Sequence, residues 1–121
     1  MRPLGFITNG RIGQLLRVTA ERLSLGSPST LVVVASSITI SKSWHRVDAV
    51  PSGTTNLVNI LGGIAGDILV LQAANDAKTI KLKDDDGNMR LAGDFNLDSV
   101  RDTIVLLFDG SLWYEICRSN N

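Results

Sequence analysis

From Thr30 onward the chain is a succession of short apolar or β-branched runs broken by turn residues, and no stretch sustains a 3.6-residue period. "KTIKLK" alternates cleanly, placing Ile80 and Leu82 on one face and Lys81 and Lys83 on the other. "NMRLAG" does the same with Met89 and Leu91 against Arg90, and Ile38-Thr39-Ile40-Ser41 alternates too. "TLVVV", "WHRV", "ILVLQA", "FNLDS", "DTIVLLF" and "LWYEICR" supply further strands, "LVNIL" is a short strand or one turn of helix, and "PSGTTN" is a loop by composition. Short strands with a turn signal about every ten residues predict an all-β fold, a small β-sandwich or jelly-roll-like barrel. The 121 residues make one domain.

Two of these runs, Ile68 to Leu71 and Thr103 to Phe108, are apolar on both faces. A strand with no polar side needs something over its back. A domain this small hides only about two-thirds of the surface its unfolded chain exposes. Yet hydrophobic residues make up 44% of the chain and aromatics only 5%. The excess of Leu, Val, Ile and Ala therefore predicts burial between copies of the chain.

The first 28 residues differ in character. Pro3, Gly5, Gly10, Gly13, Gly26 and Pro28 punctuate them, and an extended N-terminal arm is the simplest description. Residues 1–22 hold Arg2, Arg11, Arg17 and Arg22 against Glu21 alone, a balance of +3, and the remainder is −3. A basic arm on a mildly acidic body predicts contact with an acidic surface. No lysine-rich run or basic–aromatic interleaving points to nucleic acid. The apolar runs are too short to span a bilayer, and "MRPLGFITNG" lacks the apolar core of a signal peptide.

Candidate chemistry is sparse. Cys117 is the one cysteine, so no intrachain disulfide is possible, and it reads as a small core residue. His45 is the one histidine and Cys117 is remote from it in sequence, which nearly excludes a zinc site. No nucleophile elbow, metalloprotease helix or Walker loop is present. Gly62, Gly63 and Gly66 read as a tight turn into a strand. Asp84-Asp85-Asp86-Gly87-Asn88 raises the question of a cation loop. Counted from Asp84, positions one, three and five carry oxygen ligands, but position six is Met89 and position twelve is Phe95. A hairpin turn centred on Asp86-Gly87, joining "KTIKLK" to "NMRLAG", explains more. Asp109-Gly110 repeats the device.

The segments "SWHRVDA", "LVNILGGIAGDILVLQAANDAKTIKLKD", "GNMRLAGDFNLDS" and "DTIVLLFDGSLWYEICRSNN" carry a resemblance. Together they are similar to the C-terminal β-module of bacteriophage head-fibre, tail-fibre and capsid decoration (cement) proteins, over roughly the last two-thirds of the chain. The resemblance implies an all-β, trimeric, non-enzymatic virion component with no cofactor. The short segment ahead of the module favours a complete small protein on the outer surface of the capsid over a long fibre. The expectation is thus a homotrimer bound to the major capsid protein and stabilising its lattice. Residues 1–28 form the capsid-contacting arm, through Arg2, Leu4, Phe6, Ile7, Arg11, Leu15, Leu16, Arg17 and Arg22. Residues 29–121 form the knob, with Trp44, His45, Leu69, Leu71, Val105, Leu107 and Trp113 at the trimer interface. The competing expectation is a fibre tip that binds a host glycan through the loops at Asn56, Asn75-Asp76 and Asp84 to Asn88, with Trp113 or Tyr114 stacking on sugar.

Overall fold

Alternating and β-branched runs become strands wherever the sequence supplies a turn residue at each end. The computed structural model describes residues 21–121. Its strands are β1 (Ser29–Val32), β2 (Ser37–Thr39), β3 (Trp44–Asp48), β4 (Gly53–Leu57), β5 (Asn59–Leu61) and β6 (Ile68–Ala73). They continue with β7 (Lys78–Leu82), β8 (Met89–Arg90), β9 (Phe95–Leu97), β10 (Thr103–Phe108) and β11 (Trp113–Ser119). No helix occurs among the described residues, so the chain is all-β as expected.

Three sheets form. One has six strands in the order β1-β3-β6-β10-β11-β8, one pairs β2 with β5, and one has the order β4-β7-β9. The chain passes from sheet to sheet and lays each new strand parallel to one from the preceding circuit: β3 beside β1, β5 beside β2, β6 beside β3, β7 beside β4. Parallel neighbours need a crossover. Here the crossover runs through the other sheets, which gives a β-solenoid-like arrangement that is not clearly a sandwich or a barrel. The last part reverses direction, with β9 antiparallel to β7, β10 to β6, and β11 to β10. Leu57, Ile60, Leu69, Leu71, Ile80, Leu82, Met89, Leu97, Ile104, Leu106 and Trp113 fill the interior.

The hairpin expected between "KTIKLK" and "NMRLAG" does not form. The neighbours of β7 are β4 and β9, and β8 joins β11 in a different sheet. The left-handed residue of the acidic bend is Asp85 (φ 60°), and Gly87 is required for space instead. A Cβ there would run into the Val58 carbonyl oxygen and the Asn59 side chain. At Asp109-Gly110 the hairpin does form, with Gly110 at φ 104° and the Asp109 carboxylate accepting from the amides of Ser111 and Leu112.

Asn88 acts as a third strand for the two-stranded sheet. Its Oδ1 accepts from Ile60 N (2.9 Å), its Nδ2 donates to Ile60 O (2.7 Å), and its own amide donates to Asn59 Oδ1 (3.1 Å). Trp113 N donates to the Asn88 carbonyl, and the indole Nε1 donates to Ile60 O at 3.2 Å. The Trp113 ring stacks on Phe108 with centroids 4.6 Å apart. Gly63 lies directly against this pair. A Cβ on Gly63 would lie 2.6 Å from Trp113 Cζ2 and 2.9 Å from the Phe108 ring. Gly63→Ala should therefore cost about 1–3 kcal/mol through overpacking. Urea denaturation checks this, and a midpoint equal to that of the wild type would show that the indole is not held as described.

Candidate functional site

The six-stranded sheet turns one side to the core and one to the exterior, and strand register decides which residue goes where. Leu106 is paired with Leu69 and Ile104 with Leu71, and all four are fully buried. The alternate residues face out. Val105 pairs with Val70, Leu107 with Ile68 and Tyr114, and Trp44 with Val70. A register shift between Val105 and Leu106 leaves Ile116 as the extra residue of β11, and it projects from the sheet. Exposure is 40% at Ile68, 39% at Leu107, 41% at Tyr114 and 54% at Ile116. Val70, Val105 and Trp44 are half-buried between them, and Cys117, opposite Val105, is exposed. The result is an apolar face over β6, β10 and β11. Polar residues flank it: Arg46, Gln72, Thr103 and Ser119 form a neighbouring row.

This geometry divides the residues expected at an interface. Val105 and Leu107 lie on the outer face, and Trp44 lies beside them with its Nε1 donating to Gln72 Oε1. Leu69, Leu71, His45 and Trp113 lie inside the single chain with no exposed surface, so they offer nothing for a partner to touch. On β6 the outward residues are Ile68 and Val70, the opposite parity from the two leucines, because antiparallel pairing sets Val105 across from Val70. Ile116 was missed because the bulge that exposes it leaves no mark in the alternation. His45 is held on both ring nitrogens. Its Nε2 accepts from the amides of Ser41 and Lys42, both at 3.0 Å, which leaves Nδ1 as the protonated nitrogen facing Ser29 O and Oγ at 3.1 Å. Cys117, read from sequence as a core residue, is at the surface.

Of the expected capsid-contacting residues, Arg2, Leu4, Phe6, Ile7, Arg11, Leu15, Leu16 and Arg17 lie outside the described residues. Arg22 is exposed and belongs to no strand. Residues 21–28 carry no strand either.

The remaining polar features are occupied by the fold. At the acidic bend, Asp84 Oδ1 accepts from Leu91 N (2.7 Å), Asp94 takes Asp84 N and Lys83 Nζ (both 2.8 Å), and Asp85 pairs with Arg90. No group of three metal-ligating side chains occurs among the described residues. At the Asn75-Asp76 loop, Asn75 Oδ1 accepts from the Ala77 and Lys78 amides within the loop, and Asp76 accepts from Val100 N of a neighbouring loop. Asp98 and Asp102 form a carboxyl pair of the kind that can serve acid–base chemistry. The shared hydrogen bond to Asp102 raises the Asp98 pKa. Burial pushes Asp102 up, but donation from the amides of Asn121, Asp98 and Ser99 outweighs it and holds that carboxyl below its usual range. Asp102 has no exposed surface, and its oxygens pin the last residue of the chain, so the pair is a C-terminal clasp. A shallow cavity of about 220 Å³ is lined by Ile40, Ser41, Lys42, Ser43, Gly62, Ile64 and Asp67. Its carboxylate, Asp67, already accepts from Ile64 N (2.8 Å).

At the margin of the sheet, Glu115 and Arg118 meet through two hydrogen bonds of 2.8 and 2.7 Å. Arg118 also donates to Gly93 O and lies over the Phe95 ring at 4.6 Å, and Glu115 accepts from Ala92 N. The pair fastens the 91–94 loop to β11 behind the outer face. The Arg118 guanidinium lowers the Glu115 pKa below its reference of 4.5. A depressed carboxyl pKa gives stability that is present above the unfolded value and is lost as pH falls through the folded one. Glu115→Gln should lower stability by about 1 kcal/mol at neutral pH. The gap should close as pH falls through and below 4.5. Urea titrations at several pH values read this directly, and a pH-independent gap would contradict it.

Comparison with protein-family models, curated proteins and solved structures finds no match to this chain.

Proposed function

We propose that the chain is a structural, non-enzymatic component of a bacteriophage virion. In this reading it is a capsid decoration (cement) protein that binds the outer surface of the head as a homotrimer and stabilises the capsid lattice. The observation that supports it best is the apolar outer face of the six-stranded sheet. A chain of 121 residues keeps four large apolar side chains about two-fifths exposed or more on one face, as a subunit built to be covered would. The sequence resemblance supplies the setting.

The mechanism is linkage. A protein that binds only the assembled lattice stabilises it by mass action. Three copies joined in one particle multiply weak contacts through effective concentration. Residues 1–28 are the proposed capsid-contacting arm, with their arginines meeting acidic patches and their apolar residues giving anchorage. Removal of residues 1–20 should leave an associated protein that no longer sediments with phage heads, whereas the full chain does. Undiminished head binding by the shortened protein would refute the arm. Light scattering should give about three times 13.0 kDa for the full chain. A monomeric mass at micromolar concentration would refute the trimer.

A further inference from the structure

Resting on that reading, we infer that the outer face of the six-stranded sheet, centred on β10, is the surface on which copies of this chain meet, and that its occupant is a second copy.

The area matches. Ile68, Leu107, Tyr114 and Ile116 together present on the order of 350 Å² of largely apolar surface at the exposures given above. The half-buried Val70, Val105 and Trp44 extend it. One side of a standard interface buries about 800 Å², a little over half of it apolar, with a polar rim around the apolar centre. The face has that anatomy. The row Arg46, Gln72, Thr103 and Ser119 borders the centre along the strands, and Arg90, paired with Tyr114 across β8 and β11 and salt-bridged to Asp85, stands at the β8 edge.

The charge pattern selects the occupant. β6 and β10 contain no ionisable residue. When copies bring this face together around a common axis, as a closed trimer requires, β6 and β10 place no charge at the centre of the contact, so no like charges oppose each other there. Arg46 stands in the border row, its Nε donating to Gln72 Oε1 at 3.4 Å and its guanidinium 5.8 Å from the Trp44 ring. The outer face of the three-stranded sheet is different. There Asn56, Lys81 and Asn96 stand side by side across the strands, a row suited to water. The bulge adds the feature that locks the contact. Ile116 has no partner on β10 and projects as an apolar knob beside Tyr114 and Cys117.

The test compares the full-length wild type with the double variant Leu107→Glu, Ile116→Glu, and with Lys81→Glu as a control on the polar face. Circular dichroism melts establish that each is folded, since both glutamates replace exposed side chains. Light scattering should show the wild type and Lys81→Glu as the same oligomer and the double variant as a 13.0 kDa monomer. Self-affinity should fall by at least about 100-fold, as expected when carboxylates are forced into an apolar contact. Cys117, the only thiol, gives a second readout that does not depend on substitution. Its reaction with a disulfide reagent should be at least about tenfold slower in concentrated wild type than in the double variant, because the partner covers it. A folded double variant that remains oligomeric, or a thiol equally fast in both, overturns the face assignment and leaves the oligomer standing. A monomeric wild type overturns both, and a monomer that floats with phosphatidylcholine vesicles would give the face to lipid instead.

Discussion

Strand β10 is apolar on both sides, and the rest of the structure is arranged around that fact. Ile104, Leu106 and Phe108 point inward and fill the core against Leu69, Leu71 and Trp113. Val105 and Leu107 point outward between β6 and β11. A central strand that is apolar on both faces needs cover on both, and among the described residues this chain supplies it on one. The solenoid-like circuit covers the inner side completely and leaves the outer side open. That leftover surface is what favours the proposed self-association, since burying apolar area is the dominant favourable term in association.

The side chains that usually signal chemistry are spent on joining sheets. His45 gathers the 41–42 turn and the start of β1, Asn88 ties the two-stranded sheet to β11, Asp102 holds Asn121, and Glu115–Arg118 fastens the 91–94 loop. No buried side-chain nitrogen or oxygen among the described residues lacks a hydrogen-bond partner. In a solenoid-like arrangement with irregular connections, such polar ties replace the regular ladders that longer repeats would supply. A network with every member satisfied is a structural device.

Much of this was legible in the sequence and some was not, for identifiable reasons. The strands themselves follow from alternation, and the Asp109-Gly110 hairpin from its turn chemistry. The parallel circuits were hidden because their offsets differ. Ser29 pairs with His45, Trp44 with Val70, Ser37 with Asn59 and Gly53 with Lys78, so no fixed period is left to find. Asp86-Gly87 imitates a hairpin turn, yet that bend crosses between sheets, and Gly87 is there because Val58 leaves no room for a side chain. On β6 both parities are apolar, so composition could not say whether Leu69 and Leu71 or Ile68 and Val70 faced out. Only pairing with β10 decided it. Sequence reasoning found the surplus of apolar surface but not the side of the strand that carries it.

Side-chain footprinting of the full-length protein by hydroxyl radicals at micromolar concentration tests the covered face most directly. Leu107 and Ile116 should label far less than Val50 and Ile64, which are exposed elsewhere at 81% and 73%. Labelling of Leu107 and Ile116 in proportion to their exposure in the single chain would mean that nothing covers β10, and would contradict self-association through this face.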